Sequence, residues 1–153
     1  MCGQGLQGQR KYDGAFMWGF TGDSFVFSET QGSDFEYEAD LMIETGQAAM
    51  LAFRADQNLS NKYFANIDMS GVVKLIKPRT EICVAKADIK RGVKYHMKVC
   101  ANGSNIKVYL DGELKIDADD DSNRSGYFGV GVFNAKALFQ NVNADIKFID
   151  FIL

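Results

Sequence analysis

Polar side chains that could bind hydroxyl groups alternate with apolar ones along three strand-like runs of this sequence. The runs are FEYEADLMI (35–43), AAMLAFRAD (48–56) and YFANIDM (63–69). Their polar positions include Glu38, Asp40, Arg54, Asn66 and Asp68. Because successive side chains of a strand point to opposite faces, each run can bury one set and present the other. If the three strands are neighbours in one sheet, carboxylates, an amide and a guanidinium meet on one surface, which suits a ligand rich in hydroxyls.

An aromatic ring beside these groups would complete a typical sugar site. Rings stack on the C–H faces of sugars, while carboxylates, amides and Arg side chains bind pairs of hydroxyls. In the run GYFGVGVFNAKALFQNV (126–142), Phe133 alternates with Val130 and Val132, so it lies either on the open face or in the core. Tyr63 is the other candidate ring.

The elements that carry these residues are many short strands. Asn102-Gly103 and Asp111-Gly112 favour tight hairpins, and no helix-sized window has a 3.6-residue period. The predicted strands cover residues 25–28, 35–43, 48–54, 63–69, 72–77, 82–86, 94–101, 106–110, 114–117, 127–133 and 137–142, with an apolar tail at 146–153. The 12 Phe, 6 Tyr and 1 Trp can fill the space between two layers. We therefore predict an all-β fold, a two-sheet antiparallel β-sandwich of jelly-roll (concanavalin-like) type.

Length and charge narrow the class of protein. The 153 residues predict one sandwich domain over residues 22–153, after a segment 1–21 that is either loosely ordered or the start of the sandwich. With 17 basic and 20 acidic residues the net charge is -3, which argues against nucleic acid as a partner. No apolar run has the length of a membrane span, and the first residues have no signal-peptide pattern.

Catalytic and metal chemistry find little support in the sequence. His96 is the only histidine, so a Ser/His/Asp triad would depend on it, and we interpret it as a surface or sheet-edge imidazole. Arg54 would keep a neighbouring carboxylate ionised rather than make it an acid. The acidic run at 117–123 resembles the start of an EF-hand loop but lacks its Gly and its final Glu. We predict no catalytic residue and no cofactor, with a structural calcium in this run as the alternative to a solvated acidic turn.

Two of the three cysteines flank a predicted hairpin. In ICVAKADIKRGVKYHMKVC (82–100), pairing about Arg91 would place Cys83 and Cys100 roughly opposite each other. They form either a cross-strand disulfide or two separate buried thiols, since Cys is also a common small core residue.

The ordered runs resemble the family 66 carbohydrate-binding modules. These β-sandwich domains are found attached to family 32 glycoside hydrolases, the levanases and fructanases, and the wider concanavalin-like group includes laminin-G-like domains. The resemblance extends from about Gly22 to Val142, most of the chain. It implies noncatalytic recognition of the terminal sugar of a fructan or related polysaccharide. It also implies a secreted or cell-surface location. The chain is then either an excised module, with an attached catalytic domain in a longer parent chain, or a free-standing relative.

By resemblance, the motifs assign roles to particular residues. Arg54 matches the FRA motif, Asp68 the acidic end of the NxD motif, and Gln140 the closing FQNV. Phe133 stands where family members often have Trp, which weakens the expected stacking. The full predicted site comprises Glu38, Asp40, Arg54, Tyr63, Asn66, Asp68, Phe133 and Gln140.

Three alternatives to this site stay open at the level of sequence. The chain could be a small jelly-roll glycoside hydrolase or lyase that uses two of the carboxylates. It could be a protein-interaction or adhesion domain of the laminin-G-like kind. Or Arg54 and Asp68 form an ion pair across two strands and bind nothing, as charges on a sheet face often do.

Overall fold

The described residues form ten antiparallel β-strands. A computed structural model describes residues 16–145 and 147–148. The strands are β1 (Phe16–Gly32), β2 (Phe35–Ala55), β3 (Tyr63–Asp68), β4 (Val72–Lys77), β5 (Thr80–Lys86), β6 (Lys94–Asn102), β7 (Asn105–Leu110), β8 (Glu113–Asp119), β9 (Gly126–Ala144) and β10 (Lys147–Phe148). This confirms the predicted all-β, antiparallel architecture. Within these ranges we find no helix with the length and apolarity needed to cross a bilayer.

Three long strands, β1, β2 and β9, run through both layers of the sandwich. β9 pairs with β1 on one side and with β2 on the other. The second half of β2 continues one layer to β3, β4 and β5, and we call this layer sheet A. The first half of β2 continues the other layer to β6, β7 and β8, which we call sheet B. The outermost strands β5 and β8 contact each other, so the two layers come close to a closed barrel.

The long strands bend from one sheet into the other at a shared corner. Gly46 of β2 has φ +96° and pairs with Ala135 of β9, beside Asn134, whose φ is +44°. Gly22 of β1 has φ +77°, and its N–H donates to the side-chain oxygen of Asn134. A Cβ on Gly46 would overlap the carbonyl oxygen of Asn134. β2 and β9 can therefore touch at this corner because residue 46 is glycine.

The core lies between the sheets and follows the alternation of the strands. In the first half of β2 every second residue, from Phe35 to Ile43, is buried. The rings of Phe53 and Phe128 meet Phe35 edge-on, at centroid distances of 5.9 and 4.7 Å. Tyr37 is fully buried and its hydroxyl donates to the carbonyl of Gly129 at 2.7 Å, so the polar group has a partner. Removing each of these rings from water stabilises the fold by about 1.5–3 kcal/mol.

Two pairs of predicted strands are each one continuous strand. Residues 35–43 and 48–54 both belong to β2, and residues 127–133 and 137–142 both belong to β9. The prediction of separate strands was wrong because the bends at the corner contain residues typical of turns. As a consequence, the two halves of β2 lie in different sheets and cannot be neighbours in one sheet.

The predicted ends of the domain lie partly outside the described residues. β1 begins at Phe16, before the boundary that we placed at residue 22. Of the predicted apolar tail, Lys147–Phe148 forms the short strand β10 against β9. Residues 1–15, 146 and 149–153 are not among those that the structure describes.

Cys83 and Cys100 lie in different sheets, so the predicted hairpin between them was wrong. Cys83 of β5 is opposite Leu75 of β4, whereas Cys100 of β6 is opposite Glu36 of β2. Both are free, half-buried thiols, as in the second of the two interpretations. Partial burial raises the pKa of Cys100, which keeps it in the protonated, unreactive form.

Candidate functional site

Sheet A presents a surface that faces away from the core and brings together three of the predicted residues. Strand register places Asp23, Phe133, Ala48 and Asp68 in one row across β1, β9, β2 and β3. Residues directly opposite one another in antiparallel strands share a face. We call this surface the outer face of sheet A; its residues are Asp23, Phe25, Phe27, Ala48, Met50, Ala52, Phe64, Asn66, Asp68, Gly129, Gly131 and Phe133.

An aromatic strip covers the middle of this outer face. Phe25 lies over Gly131 and Phe27 over Gly129, where an added Cβ would collide with the rings. The ring centroid of Phe25 is 5.8 Å from that of Phe27 and 5.4 Å from that of Phe64. The two glycines of β9 thus make room for rings outside the core, and the strip forms a second, smaller apolar layer.

Phe133 and Asp68 lie at one end of the strip with a small residue between them. Phe133 is 39% exposed, which is high for a large apolar side chain. Ala48 is paired with both, so Phe133 and Asp68 are two strand spacings apart, roughly 10 Å. The Oδ1 of Asp68 accepts hydrogen bonds from Gln47 and from the backbone and hydroxyl of Ser70. Asp68 itself is largely buried, with 6% of its surface exposed, and its Oδ2 accepts no hydrogen bond from the part of the chain that is described.

Asn66 supports this surface from below. It is buried, and its side-chain oxygen accepts the backbone N–H of Lys74 at 3.2 Å. The amide therefore ties β3 to β4 next to Asp68. We expect Asn66 to position the sheet rather than to offer its oxygen to a sugar.

Glu38, Asp40 and Gln140 lie on the opposite side of the molecule, on the outward surface of sheet B. Nε2 of His96 is 2.7 Å from Glu38 Oε1, and Nδ1 is 2.8 Å from Asp40 Oδ1. Gln140 accepts a hydrogen bond from Lys94. The expectation that these residues meet Asn66 and Asp68 on one surface was wrong, because β2 bends at Gly46 between them.

His96 is held between two carboxylates, which calls for both ring nitrogens to donate. Partial burial alone would lower its pKa, but the hydrogen bonds to Asp40 and Glu38 outweigh burial and raise the pKa above 6.5. A raised folded-state pKa stabilises the fold below the unfolded pKa, and this contribution disappears as the pH rises through the folded value.

We expect the two hydrogen bonds of His96 to make the free energy of unfolding depend on pH. Replacing His96 should remove this dependence. The gain in free energy of unfolding from about pH 9 to about pH 6 should be at most about 1 kcal/mol, because the ring is 41% exposed and such pairs are screened. Urea unfolding of the parent and of His96→Gln at both pH values measures it. Since His96 is the only histidine, a variant that keeps the full difference would contradict the assignment.

Arg54 is buried at the end of the sandwich and does not lie on the outer face of sheet A. Its φ of +51° and the register shift after Ala52 turn the side chain inward. The guanidinium donates twice to the carbonyl of Ser33, at 3.0 and 2.6 Å, and once to the carbonyl of Asn123 at 3.2 Å. It is fully buried, so the prediction that Arg54 presents a free guanidinium to a sugar was wrong.

Tyr63 belongs to the same buried network. Its ring stacks on Phe53 at 5.5 Å, and its hydroxyl donates to Asp120 at 2.5 Å. Asp120 also accepts a hydrogen bond from Lys77 at 2.8 Å. Burial alone would raise the pKa of Asp120, but these donors outweigh burial and hold it well below its usual range. Tyr63 therefore fastens the 120–123 loop to the core, and its ring is not available for stacking.

The structure also decides against the predicted ion pair between Arg54 and Asp68. The acidic neighbour of Arg54 is Asp34, at 3.7 Å, while Asp68 is bonded to Gln47 and Ser70. In the acidic run that suggested calcium, Asp120 is paired with Lys77. Across residues 16–145 and 147–148, His, Cys, Asp and Glu side chains form no group of three that could hold a metal ion.

Sequence reasoning missed the aromatic strip. Phe25 and Phe27 were assigned to a strand, but their outward direction was not recognised, whereas alternation along 63–69 puts Phe64 on the face of Asn66 and Asp68. The available signal was the alternation of Val26 with two Phe on β1 and of Val130 with two glycines on β9. Opposite pairing of Phe with Gly indicates a ring that lies over a strand.

The class of the protein follows from this architecture. Long strands that bend between two antiparallel sheets, with polar and aromatic side chains on an outer face, define a jelly-roll β-sandwich. A protein of galectin-like fold from Bacillus subtilis superposes with a TM-score of 0.71 at 12% identity, over 86% of this chain and 81% of the other. This likeness establishes the fold alone.

Sequence comparison identifies the family. The model of the 3-keto-alpha-glucoside-1,2-lyase-like domain matches residues 4–144. The carbohydrate-binding module CBM66 from Bacillus subtilis is 40% identical, covers 84% of this chain and 85% of its own, and superposes with a TM-score of 0.82. The chain therefore belongs to the 3-keto-alpha-glucoside-1,2-lyase-like domains and to the CBM66 carbohydrate-binding modules, as its motifs predicted.

Larger relatives contain a segment of this kind. A levanase from Bacillus subtilis (strain 168) is 42% identical over 132 residues, which are 81% of this chain and 20% of the levanase. A fructan beta-fructosidase from Streptococcus mutans is 28% identical over 146 residues, 10% of its length. The chain thus spans a fifth or less of the curated relatives that it matches.

Proposed function

We propose that this chain binds a fructan without cleaving it, as an accessory module of a glycoside hydrolase. The observation that carries the proposal is the 40% identity to a carbohydrate-binding module over 84% of the chain. The levanases and the fructosidase that share this segment make a fructan the favoured polysaccharide. In this proposal the module holds a catalytic domain near its polymeric substrate, outside the cell or at its surface.

The state of the acidic residues favours binding over catalysis. A glycosidase needs one carboxyl group that stays protonated near neutral pH in order to protonate the leaving oxygen. Glu38 and Asp40 instead flank a histidine whose pKa is raised, and the pKa of Asp120 is lowered. Lys77 and the hydroxyl of Tyr63 thus hold Asp120 in its ionised form, while Glu38 and Asp40 are engaged as hydrogen-bond partners of His96.

We place the sugar on the outer face of sheet A, between Phe133 and Asp68. The exposed ring of Phe133 can stack on the C–H face of a sugar, and Oδ2 of Asp68 can accept a hydrogen bond from a hydroxyl. Ala48 lies between them, and its small side chain leaves room for a sugar ring above the sheet. Each polar contact contributes on the order of 1 kcal/mol net, so we expect affinities between about micromolar and millimolar.

Two substitutions test this site. We expect Phe133→Ala and Asp68→Asn each to weaken binding to levan by about tenfold, because each removes one of the two kinds of contact. Affinity electrophoresis on levan, inulin and cellulose, followed by calorimetry with a levan oligosaccharide, measures this. Leu114→Ala is the matched control, since Leu114 is equally apolar and exposed but lies on β8 of sheet B.

The outcomes separate the function from the site. If the parent chain binds none of the three polysaccharides, the proposed function fails. If the parent binds and both variants bind as well as it does, only the placement on sheet A fails. Release of reducing sugar from levan by the purified chain would instead support the alternative of a small glycoside hydrolase.

A further inference from the structure

A pocket of about 320 Å³ lies at the far end of sheet A, beyond the aromatic strip. Tyr127 of β9 pairs with Gln31 of β1 and with Ala55 of β2, one row past Phe27 and Gly129. The side chains that line the pocket belong to Gln31, Asp56, Gln57, Ser125 and Tyr127. Its volume is at the lower end of the range for small-ligand sites.

The lining suits a small neutral polyol. Two amides, a hydroxyl and a phenol offer both donors and acceptors around one space. Within the described ranges, the side-chain polar atoms of Gln31, Gln57, Ser125 and Tyr127 form no hydrogen bond with another protein group, so they are available to a ligand. Asp56 is the single charged residue in the lining, which disfavours phosphate and other anions. The phenol ring of Tyr127 adds the flat apolar surface that a sugar ring needs.

Hydrogen bonds and close backbone packing hold the walls of the pocket in place. Both carboxylate oxygens of Asp56 accept hydrogen bonds, from the backbone of Ser60 at 3.0 Å and from the side chain of Asn61 at 2.9 Å. On the other wall, a Cβ on Gly126 would overlap the carbonyl oxygen of Ala55, so glycine lets β9 press against the end of β2. A pocket that is fixed before binding loses less conformational entropy when a ligand enters.

We propose that this end pocket is a second carbohydrate subsite, which holds one sugar unit independently of Phe133. Tyr127 and Phe133 are six residues apart on β9, a separation of about 20 Å on the same outer face. A polysaccharide chain that follows β9 across the aromatic strip can occupy both places at once. The choice of a fructan as ligand rests on the proposed function, whereas the pocket itself rests on its lining residues.

Nuclear magnetic resonance of the intact chain with a neutral levan oligosaccharide tests the second subsite. We expect the backbone amides of Gln57, Ser125 and Gly126 to shift on titration, in the parent and in Phe133→Ala alike. Gln57→Ala combined with Tyr127→Phe should weaken this response roughly five- to tenfold, because two hydrogen bonds are lost. Gln140→Ala, on sheet B, is the matched glutamine control and should leave the response unchanged.

The results distinguish this inference from the proposed function. If amides near Phe133 and Asp68 shift while those of the end pocket stay fixed, the second subsite is refuted and the proposed function stands. If the pocket amides shift equally in the double variant, the lining residues do not bind the sugar and the inference also fails. If no amide of the parent shifts at saturating oligosaccharide, the proposed function fails as well.

Discussion

Replacing Arg54 by alanine should lower the free energy of unfolding by about 3 kcal/mol and the Tm by about 6–12 °C. The substitution leaves the carbonyls of Ser33 and Asn123 without their donors, and because both hydrogen bonds are partly buried, each loss costs about 1 kcal/mol. It also empties the space of the largest fully buried side chain in the described chain. The substitution also removes a buried charge. Burial lowers the pKa of Arg54, which means that burying its charge is unfavourable, and losing this penalty offsets part of the cost.

Arg124→Ala is the matched control for Arg54→Ala. Arg124 lies in the loop next to Asn123, but its side chain is 61% exposed, and among the described residues its ion-pair partner is Asp121. Removing such a surface pair should change stability by less than about 1 kcal/mol. Thermal unfolding of both variants, followed by circular dichroism, gives the comparison.

The same variant separates two roles of Arg54. The FRA motif predicts that Arg54→Ala abolishes sugar binding and leaves the fold intact, whereas the structure predicts a less stable fold. We expect the fraction that remains folded at 20 °C to bind levan nearly as well as the parent. An unchanged Tm together with lost binding would restore the prediction from the sequence and overturn the structural assignment.

The short strands could be predicted from the sequence nearly to the residue. β4 (Val72–Lys77) and β7 (Asn105–Leu110) coincide with the predicted ranges within one residue at each end. In these strands one face is buried and the other is open, so hydrophobicity alternates clearly. Asn102-Gly103 and Asp111-Gly112 then mark the hairpins on both sides of β7.

The continuity of the long strands could not be predicted, because a bend within a strand and a turn between two strands contain the same types of residue. Gly46 and Asn134 have positive φ and would serve equally well in a hairpin. What makes them a bend is that β9 pairs with β2 on both sides of the corner. Those hydrogen bonds join residues far apart in the sequence, and no local pattern reports them.

This error at the corner explains the error in the site. Treating the halves of β2 as neighbouring strands placed Asp40 beside Asp68, although they belong to different sheets. Asp68 was assigned correctly to an outward face, because strand alternation assigns faces without knowledge of the topology. For Phe133 alternation left the outer face and the core both open, and the structure places it on the outer face. Alternation along β2 holds as far as Ala52, and the register shift after Ala52 then turns the side chain of Arg54 inward.

Gly46→Ala should be one of the most damaging single-methyl changes in the described chain, with a cost of about 4 kcal/mol or more. The new Cβ would overlap the carbonyl oxygen of Asn134, a backbone atom that cannot move aside without breaking the corner. The φ of +96° adds strain for any residue with a side chain. Because the corner joins sheets A and B through β2 and β9, the variant should lose cooperative unfolding or fail to accumulate as folded protein.

Gly22→Ala separates the two causes of this cost. Gly22 sits at the same corner with φ +77°, but a Cβ there meets nothing within 4 Å. It should cost only the left-handed backbone strain, about 1–2 kcal/mol. Urea unfolding of both variants measures the difference. If Gly46→Ala is no less stable than Gly22→Ala, then β2 and β9 do not approach closely at the corner, and the bend that assigns Asp68 and Asp40 to different sheets would have to be redrawn.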